Sequence, residues 1–426
     1  MKHTVYELKL KNGAKGLLID VPGATTLSAQ VHFRAGNRYT ASKDINETAH
    51  IMEHMAFGAN DKFKSAHAFQ EELSKNGAYF NASTYDVAMN YVVVCADFEW
   101  DRVLDMLELA LTKPHFKQNE FEAESGNVRN ELTGMLNRHG VILWPRLERA
   151  IGIDTVEFAD SLATVANIQL KDIKAHYKRT HTLHNMRFVV AGALNEKRRA
   201  EIKHFFEKWD LPKGERLAYP RDTIHGAAPF FVRRKDAENI QFAWATSIQK
   251  ELADDDYRAM DMLNHILTGT LYSRILGKAR QQGLAYGMGS DIDFGRDMTS
   301  WQFSAEVNID TVEPLFDIIV SEVKAVLNGK LRAEELDAAK QYALGRVQMR
   351  YQTADQVAGW YAGRYFYDDY VKDFSAIQKN INAVTKTHMI DIARRIMADK
   401  QWALGAIGKG DIKLVRRLAD KLSVLY

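Results

Sequence analysis

The sequence predicts an α+β protein of two similar halves, each with packed helices and a mostly antiparallel sheet. Three observations lead to this prediction. The chain has 426 residues, whereas a domain usually has about 100–200. Strand-like segments occur in hairpin pairs between helical segments. The order of these segments in the first half is repeated in the second, which indicates an internal duplication.

The first half begins with a predicted β-hairpin, because Asn12-Gly13 is a strong turn signal between two alternating segments. Strands are predicted over Val5–Leu10, Gly16–Asp20, Ser28–Arg34, Tyr79–Ser83, Asn90–Ala96 and Met186–Ala191. Helices are predicted over 44–57, Ala66–Lys75, Trp100–Leu111, Lys117–Arg138 and Leu170–Thr180.

A cluster of proline and glycine residues interrupts the pattern near the middle of the chain. It predicts a linker over 209–229 that separates a domain at 1–208 from a second at 230–426. Strands follow over Ile240–Thr246, 285–292, 300–307 and Trp402–Gly408. Helices are predicted over Asp256–Leu267, Arg274–Arg280, Val312–Leu327 and Ala333–Arg350. Ile51–Gly58 can be aligned with Met262–Gly269, although two unrelated amphipathic helices can align equally well.

Composition and charge exclude several functions. The formal net charge is only +2 and no lysine- or arginine-rich run occurs, so nucleic-acid binding is not expected. The one cysteine, Cys95, excludes an intramolecular disulfide and a cysteine-based zinc cluster. No segment reads as a signal peptide or a transmembrane helix. We therefore expect no membrane partner and, by default, a cytoplasmic location.

The segment with the strongest chemical signal is His50-Ile51-Met52-Glu53-His54, an H-x-x-E-H motif. Residues three and four apart lie on one face of a helix, so His50 and His54 can direct two imidazoles at one ion, with Glu53 beside them. Two neutral nitrogen ligands and a nearby carboxylate are what a zinc hydrolase requires. The motif is the inverted zincin signature. The alternative is an amphipathic helix with two structural histidines.

A catalytic zinc site needs a third protein ligand. The predicted helix 117–138 offers four candidate carboxylates: Glu120, Glu122, Glu124 and Glu131. Glu124 and Glu131 are seven residues apart and lie on one helix face, with Asn127 between them. Such a polar face is turned either to solvent or to a metal.

The chain resembles the M16 family of zinc peptidases, which includes pitrilysin, insulin-degrading enzyme and mitochondrial processing peptidase. The resemblance begins with His50–His54 and with Glu131, which follows 77 residues after His54. It extends to Phe33–Arg38, His54–Phe57, Gly77–Thr84, His181–Met186, Val189–Gly192 and Gly283–Tyr286. It implies two homologous α+β domains of the LuxS/M16 metallopeptidase-like type that face each other. Members of this length work as pairs of chains, so a homodimer, or a heterodimer with a second M16-like chain, is expected.

The resemblance also implies a role for each matching residue. His50, His54 and Glu131 match the ligands of one zinc ion per chain, Glu53 matches the general base, and Glu124 matches a supporting carboxylate. Four residues match substrate-contacting positions: Asn81, Ala82, Arg280 and Tyr286. There are departures. Glu47-Thr48-Ala49 stands where many members have Gly-Leu-Ala, and Arg280 lies six residues before Tyr286 rather than seven.

The second half lacks the metal-binding pattern. Asp261, Asn264 and His265 stand where the first half has His50, Glu53 and His54, and no carboxylate occurs between Ala338 and Arg350. We therefore expect zinc only in the first half. The function predicted is a zinc-dependent endopeptidase that cleaves peptides or unfolded segments. The alternative is a non-catalytic M16-like partner or scaffold subunit of a two-chain assembly.

Overall fold

The chain divides into two compact units in the computed structural model, which describes residues 1–426 apart from the side chain of Phe294. The first unit contains residues 1–133, 159–220 and 348–373. The second contains residues 134–158, 221–347 and 374–426. Each unit thus takes most of its residues from one half of the chain and a shorter segment from the other half.

Each unit contains one β-sheet. The strands are β1 Thr4–Lys9, β2 Lys15–Asp20, β3 Thr26–Arg34, β4 Tyr79–Thr84, β5 Ala88–Ala96, β6 Met186–Gly192, β7 Phe230–Arg233, β8 Asn239–Ile248, β9 Met288–Phe294, β10 Thr299–Asn308 and β11 Gln401–Gly408. The six-stranded sheet of the first unit has the order β1-β2-β6-β3-β5-β4. The five-stranded sheet of the second unit has the order β7-β11-β8-β10-β9.

Five strands of the first sheet correspond to the five strands of the second. β2 pairs with β6 in parallel, as β7 pairs with β11. The remaining equivalent pairs are all antiparallel: β6–β3 and β11–β8, β3–β5 and β8–β10, β5–β4 and β10–β9. The predicted α+β class with mostly antiparallel sheets is confirmed, and the shared strand order agrees with the predicted repetition.

The helices are α1 Thr48–Ala56, α2 Ala66–Ser74, α3 Trp100–Thr112, α4 Gln118–Met135, α5 His139–Ala150, α6 Phe158–Thr164, α7 Leu170–Thr180, α8 Glu196–Glu207, α9 Asp254–Thr268, α10 Arg274–Gln281, α11 Val312–Leu327, α12 Ala333–Arg350, α13 Ala354–Asp368, α14 Ile377–Ala383, α15 Lys386–Ala398 and α16 Ile412–Ser423. The helix predicted over 44–57 begins later than expected, because residues 43–45 form a separate 3-10 turn. Residues 209–229 are described without a helix or strand.

Helix α13 comes from the second half of the chain but packs on β3 and β6 of the first sheet. It covers a face of β3 that carries alternate polar residues, including Ser28, Gln30 and Arg34. Asp355 of α13 accepts hydrogen bonds from Ser28 Oγ at 2.8 Å and from Gln30 Nε2 at 3.2 Å. Arg34 Nη2 donates to the carbonyl oxygen of Tyr367 at 2.9 Å. These polar side chains are buried and hydrogen-bonded, as buried polar groups must be to avoid a large desolvation cost.

Helix α5 shows the reverse arrangement to α13. It comes from the first half of the chain but packs on β8 and β11 of the second sheet. Leu143, Leu147 and Ile151 lie against the small side chains Ala243 and Ala403 in this core. Small strand residues allow the helix to approach the sheet closely, which increases the contact area of the leucine side chains.

Strands β4 and β5 of the first sheet pack against helices, and the helix on β4 carries the predicted motif. Helix α1 packs on β4 and on α7, and α3 packs on β5. The H-x-x-E-H helix is therefore fixed beside the last strand in the order of this sheet. Among the described residues, no helix combines the length and the apolar character needed to cross a bilayer.

Candidate metal centre

Helix α1 has one buried face and one face that carries polar side chains. Ile51, Met52 and Met55 are buried in the core of the first unit. His50, Glu53 and His54 are only partly buried and lie together on the other face. The periodicity of 3.6 residues per turn thus places the apolar residues inward and groups the three chemically active residues.

Each of the two histidines has a carboxylate next to its Nδ1 atom. His50 Nδ1 lies 2.8 Å from Glu47 Oε2, and His54 Nδ1 lies 3.0 Å from Glu124 Oε2. An ionised carboxylate only accepts hydrogen bonds, so in both pairs the imidazole donates its Nδ1–H. The Nε2 atom of each neutral ring is then left with its lone pair available for a metal ion.

These contacts shift the pKa values of the groups involved. Burial is the largest influence on the pKa of Glu47 and would raise it, but the hydrogen bond and charge of His50, with the polar groups of Ser161 and Asn46, together lower it. Burial is also the largest influence on the pKa of His50 and would lower it, but the hydrogen bond to Glu47 and the negative charges of Glu47, Glu53 and Glu131 together raise it. The hydrogen bond from His54 lowers the pKa of Glu124, to which Asn127 Nδ2 also donates at 3.0 Å.

Glu131 lies opposite both Nε2 atoms. Its Oε2 atom is 3.5 Å from His50 Nε2 and 3.8 Å from His54 Nε2. Its side chain is 40% exposed, so this side of the cluster is open to solvent. The three atoms therefore surround a common point that solvent, or a solute, can reach.

The donor set fits a zinc ion. Zinc binds imidazole nitrogen and carboxylate oxygen at about 2.0–2.2 Å in tetrahedral geometry, which separates ligand atoms by about 3.3–3.5 Å. Separations of 3.5 and 3.8 Å need only a small adjustment of the side chains to reach that geometry. Two imidazoles and one carboxylate leave a fourth position free, as in catalytic zinc sites.

The four carboxylates of α4 that were candidates for the third ligand have different partners. Glu120 accepts backbone N–H groups from Ala59 at 3.1 and 3.2 Å and from Ala66 at 3.1 Å. Glu122 is exposed and accepts a hydrogen bond from Gln118. Glu124 is paired with His54, as described above. The geometry therefore favours Glu131 as the third ligand. The contacts of Glu120 instead hold α4 against the loop that follows α1.

Glu53 lies on the same face of α1 as the two histidines, and the ligand atoms of the three residues are within 4.8 Å of one another. Burial raises the pKa of Glu53, although the neighbouring His54 and His50 oppose that shift. Thr84 Oγ1 donates to Glu53 Oε2 at 3.3 Å. Because Thr84 is the last residue of β4, this hydrogen bond joins Glu53 to the sheet.

Asn81 and Ala82 lie on β4, where they pair with Val92 and Tyr91 of β5. β4 is the last strand in the order of the first sheet, and it ends at Thr84 beside Glu53. The predicted substrate-contacting segment is thus on the strand that packs against α1.

Arg280 and Tyr286 belong to the second unit. Arg280 Nη1 donates to the carbonyl oxygen of Tyr286 at 2.5 Å, and its guanidinium lies 4.7 Å from the centre of the tyrosine ring. The Tyr286 side chain is 89% exposed, so it is not a packed core aromatic. Their role in substrate contact stays a prediction.

The positions in the second unit that align with the motif take part in packing. The ring of His265 stacks on Tyr342 with centroids 3.9 Å apart. Asn264 Oδ1 accepts a hydrogen bond from Trp301 Nε1 at 2.8 Å. Burial lowers the pKa of His265.

Sequence reasoning missed the part that three residues play in this cluster. Glu47 stands out in the sequence only as a departure from the family pattern, although its spacing of three residues from His50 is a signal for the pair. Thr84 ends the family-like segment Gly77–Thr84, and no local pattern pairs it with Glu53. Glu120 was considered only as a ligand, and its backbone contacts depend on a loop fold that no local pattern predicts.

Two family sequence models match the chain. "Insulinase (Peptidase family M16)" matches residues 16–155, and "Peptidase M16 inactive domain" matches residues 167–342. Among curated proteins, the zinc protease PqqE of Helicobacter pylori is 22% identical over 408 residues, which are 92% of this chain and 90% of that protein.

Solved structures share the fold over nearly the whole chain. A protease from Helicobacter pylori has a TM-score of 0.85 at 20% identity, with 96% of this chain and 100% of that chain covered. A peptidase M16 inactive domain from Pseudomonas fluorescens has a TM-score of 0.83 at 16% identity, with 96% of this chain and 98% of that chain covered.

The contacts of Glu120 predict that it stabilises this part of the first unit. Glu120→Ala removes a charged acceptor from two backbone N–H groups and should lower the free energy of unfolding by about 1–2 kcal/mol. Glu122→Ala, on the same helix, removes only an exposed hydrogen bond and should change it by less than about 0.5 kcal/mol. Urea denaturation of both variants measures the difference. Equal stabilities would contradict the anchoring role.

Proposed function

This chain belongs to peptidase family M16, and we propose that it is a zinc-dependent endopeptidase. The observation that carries the proposal is the convergence of His50 Nε2, His54 Nε2 and Glu131 Oε2 on one point, with Glu53 on the same helix face. The name of the relative in Helicobacter pylori, a zinc protease, supports the same chemistry.

His50, His54 and Glu131 would hold the metal ion. A bound zinc ion supplies a water molecule of lowered pKa and polarises the carbonyl group of the scissile peptide bond. The Nδ1 contacts to Glu47 and Glu124 keep both imidazoles in the orientation and tautomer that metal binding requires.

Glu53 would act as the general base and then as the general acid. Its carboxylate takes a proton from the attacking water and later passes it to the leaving amine. A raised pKa suits both steps, because a base works best when its pKa approaches the pH at which it operates. The hydrogen bond from Thr84 to Oε2 restricts the rotation of the carboxylate.

The substrate class that we propose is an extended peptide or an unfolded polypeptide segment. β4 stands last in the described sheet, and a strand in that position can accept a further strand through main-chain hydrogen bonds. A peptide bound along Asn81 and Ala82 would run towards Thr84 and Glu53. Recognition of this kind depends on the main chain more than on particular side chains.

A non-catalytic partner or scaffold subunit is the alternative. The family model that matches residues 167–342, most of which lie in the second half of the chain, is named "Peptidase M16 inactive domain". A subunit that has lost activity is expected to have lost at least one ligand or the base. His50, Glu53, His54 and Glu131 are all present, which supports the catalytic reading.

Glu53→Gln tests the proposed function most directly. The amide is almost the same size as the carboxylate but cannot accept a proton, so cleavage of a quenched fluorescent peptide should fall by about 100-fold or more. The zinc content should stay at one ion per chain, since the three proposed ligands are unchanged. Glu122→Gln, an exposed carboxylate on α4, serves as the control and should cleave at the wild-type rate.

Two outcomes would contradict the proposal. Unchanged cleavage by Glu53→Gln would show that this residue is not the base. Wild-type protein that contains no zinc after purification without chelators, and that takes up none, would contradict the metal assignment.

We also propose that two chains form the working unit, either two copies of this chain or this chain with a second M16-like chain. This assembly is what the resemblance to short members of the family implies, and the alignment with PqqE, which covers 90% of that protein, indicates a similar length. Sedimentation at micromolar concentration should give a mass of about twice 48.5 kDa for a homodimer. A strict monomer with full peptidase activity would contradict the two-chain proposal.

A further inference from the structure

Glu47 immediately precedes α1, at the N-cap position, but its side chain does not cap the helix. A Ser, Thr, Asp or Asn side chain at an N-cap position usually accepts a hydrogen bond from a backbone N–H group of the first turn. The described backbone of α1 makes no such bond to Glu47. Its Oε2 atom instead lies 2.8 Å from His50 Nδ1.

The carboxylate is held in place on its other side. Asn46 Nδ2 donates to Glu47 Oε1 at 3.1 Å, and the neighbouring Ser161 of α6 also favours the ionised carboxylate. Asn46 Nδ2 in turn lies 3.2 Å from Ser161 Oγ. The Glu47 side chain is only 5% exposed. Burial of a carboxylate at this level is costly unless its oxygens are hydrogen-bonded.

We propose that Glu47 is a positioning residue that holds His50 for metal binding and strengthens zinc affinity through its negative charge. The inference rests on the proposed zinc site. Glu47 fixes the imidazole as the Nδ1–H tautomer, so that Nε2 is directed at Glu131. A carboxylate on the far nitrogen also makes the imidazole a stronger electron donor to a metal ion.

The arrangement gives each of the two histidines its own carboxylate. Glu47 immediately precedes the helix that carries His50, whereas Glu124 reaches His54 from α4. Orientation of His54 therefore depends on the packing of two helices, and orientation of His50 depends on a local contact three residues away. A glycine at position 47 would have no side chain to make this contact.

The alternative is that Glu47 only stabilises the start of α1. Zinc affinity separates the two roles, because a structural role changes the stability of the zinc-free protein without a matching change in metal binding. Glu47→Gln keeps the size and an acceptor oxygen but removes the charge. Glu47→Ala removes both the charge and the hydrogen bond.

The experiment measures zinc dissociation constants of the purified full-length chain by competition with a fluorescent chelator. We expect affinity to fall by about 10-fold in Glu47→Gln and by up to about 100-fold in Glu47→Ala. Glu71→Gln is the matched control, since it removes a carboxylate 3.9 Å from Nδ1 of the exposed His67. Its zinc affinity should equal that of the wild type. Thermal unfolding of each zinc-free variant is recorded in parallel.

The absorption spectrum of the cobalt-substituted protein provides a second readout. Its d–d bands should shift in Glu47→Gln, because a less basic imidazole on the metal changes the ligand field. Wild-type zinc affinity in both Glu47 variants would overturn the inference and leave the zinc site standing, even if the zinc-free proteins were less stable. A wild-type chain without zinc affinity would overturn the proposed function, and this inference with it.

Discussion

The pairing of each site histidine with a carboxylate at Nδ1 is the interaction on which the rest of the site depends. Without the contacts Glu47–His50 and Glu124–His54, each imidazole could rotate and could carry its proton on either nitrogen. With both contacts, the two Nε2 atoms are directed at Glu131. The surrounding structure supports this arrangement, because Glu120 ties α4 to the loop after α1 and Thr84 ties Glu53 to β4.

The exchange of helices between the two halves of the chain gives the first sheet the rigidity that such a site requires. β3 and β6 lie in the middle of the sheet, and α13 covers them. A sheet that is covered in this way has little freedom to move, since protein interiors are packed as densely as organic crystals. α1 and β4 are therefore attached to a rigid support, although the site itself opens to solvent.

The sequence predicts the sheet strands and the H-x-x-E-H helix well, because both depend on local periodicity and turn residues. It leaves the third ligand open among four carboxylates of one helix, since helix spacing alone does not say which face is turned to the histidines. It misses the helices α5, α6, α8, α13, α14, α15 and α16. Pro145 inside α5 argues against a helix, and the alternation of polar residues from Ser28 to Arg34 predicts a strand without saying what covers its polar face. Those polar groups are buried because α13, more than 320 residues further along the chain, packs over them.

The central claim is that His50, His54 and Glu131 bind one zinc ion in this chain. X-ray absorption at the zinc edge, on protein purified without chelators, tests it most directly. The account predicts one zinc ion per chain with nitrogen and oxygen ligands at about 2.0–2.1 Å, and multiple-scattering features of two imidazoles. A sulfur ligand at about 2.3 Å, or a spectrum without imidazole, would contradict it.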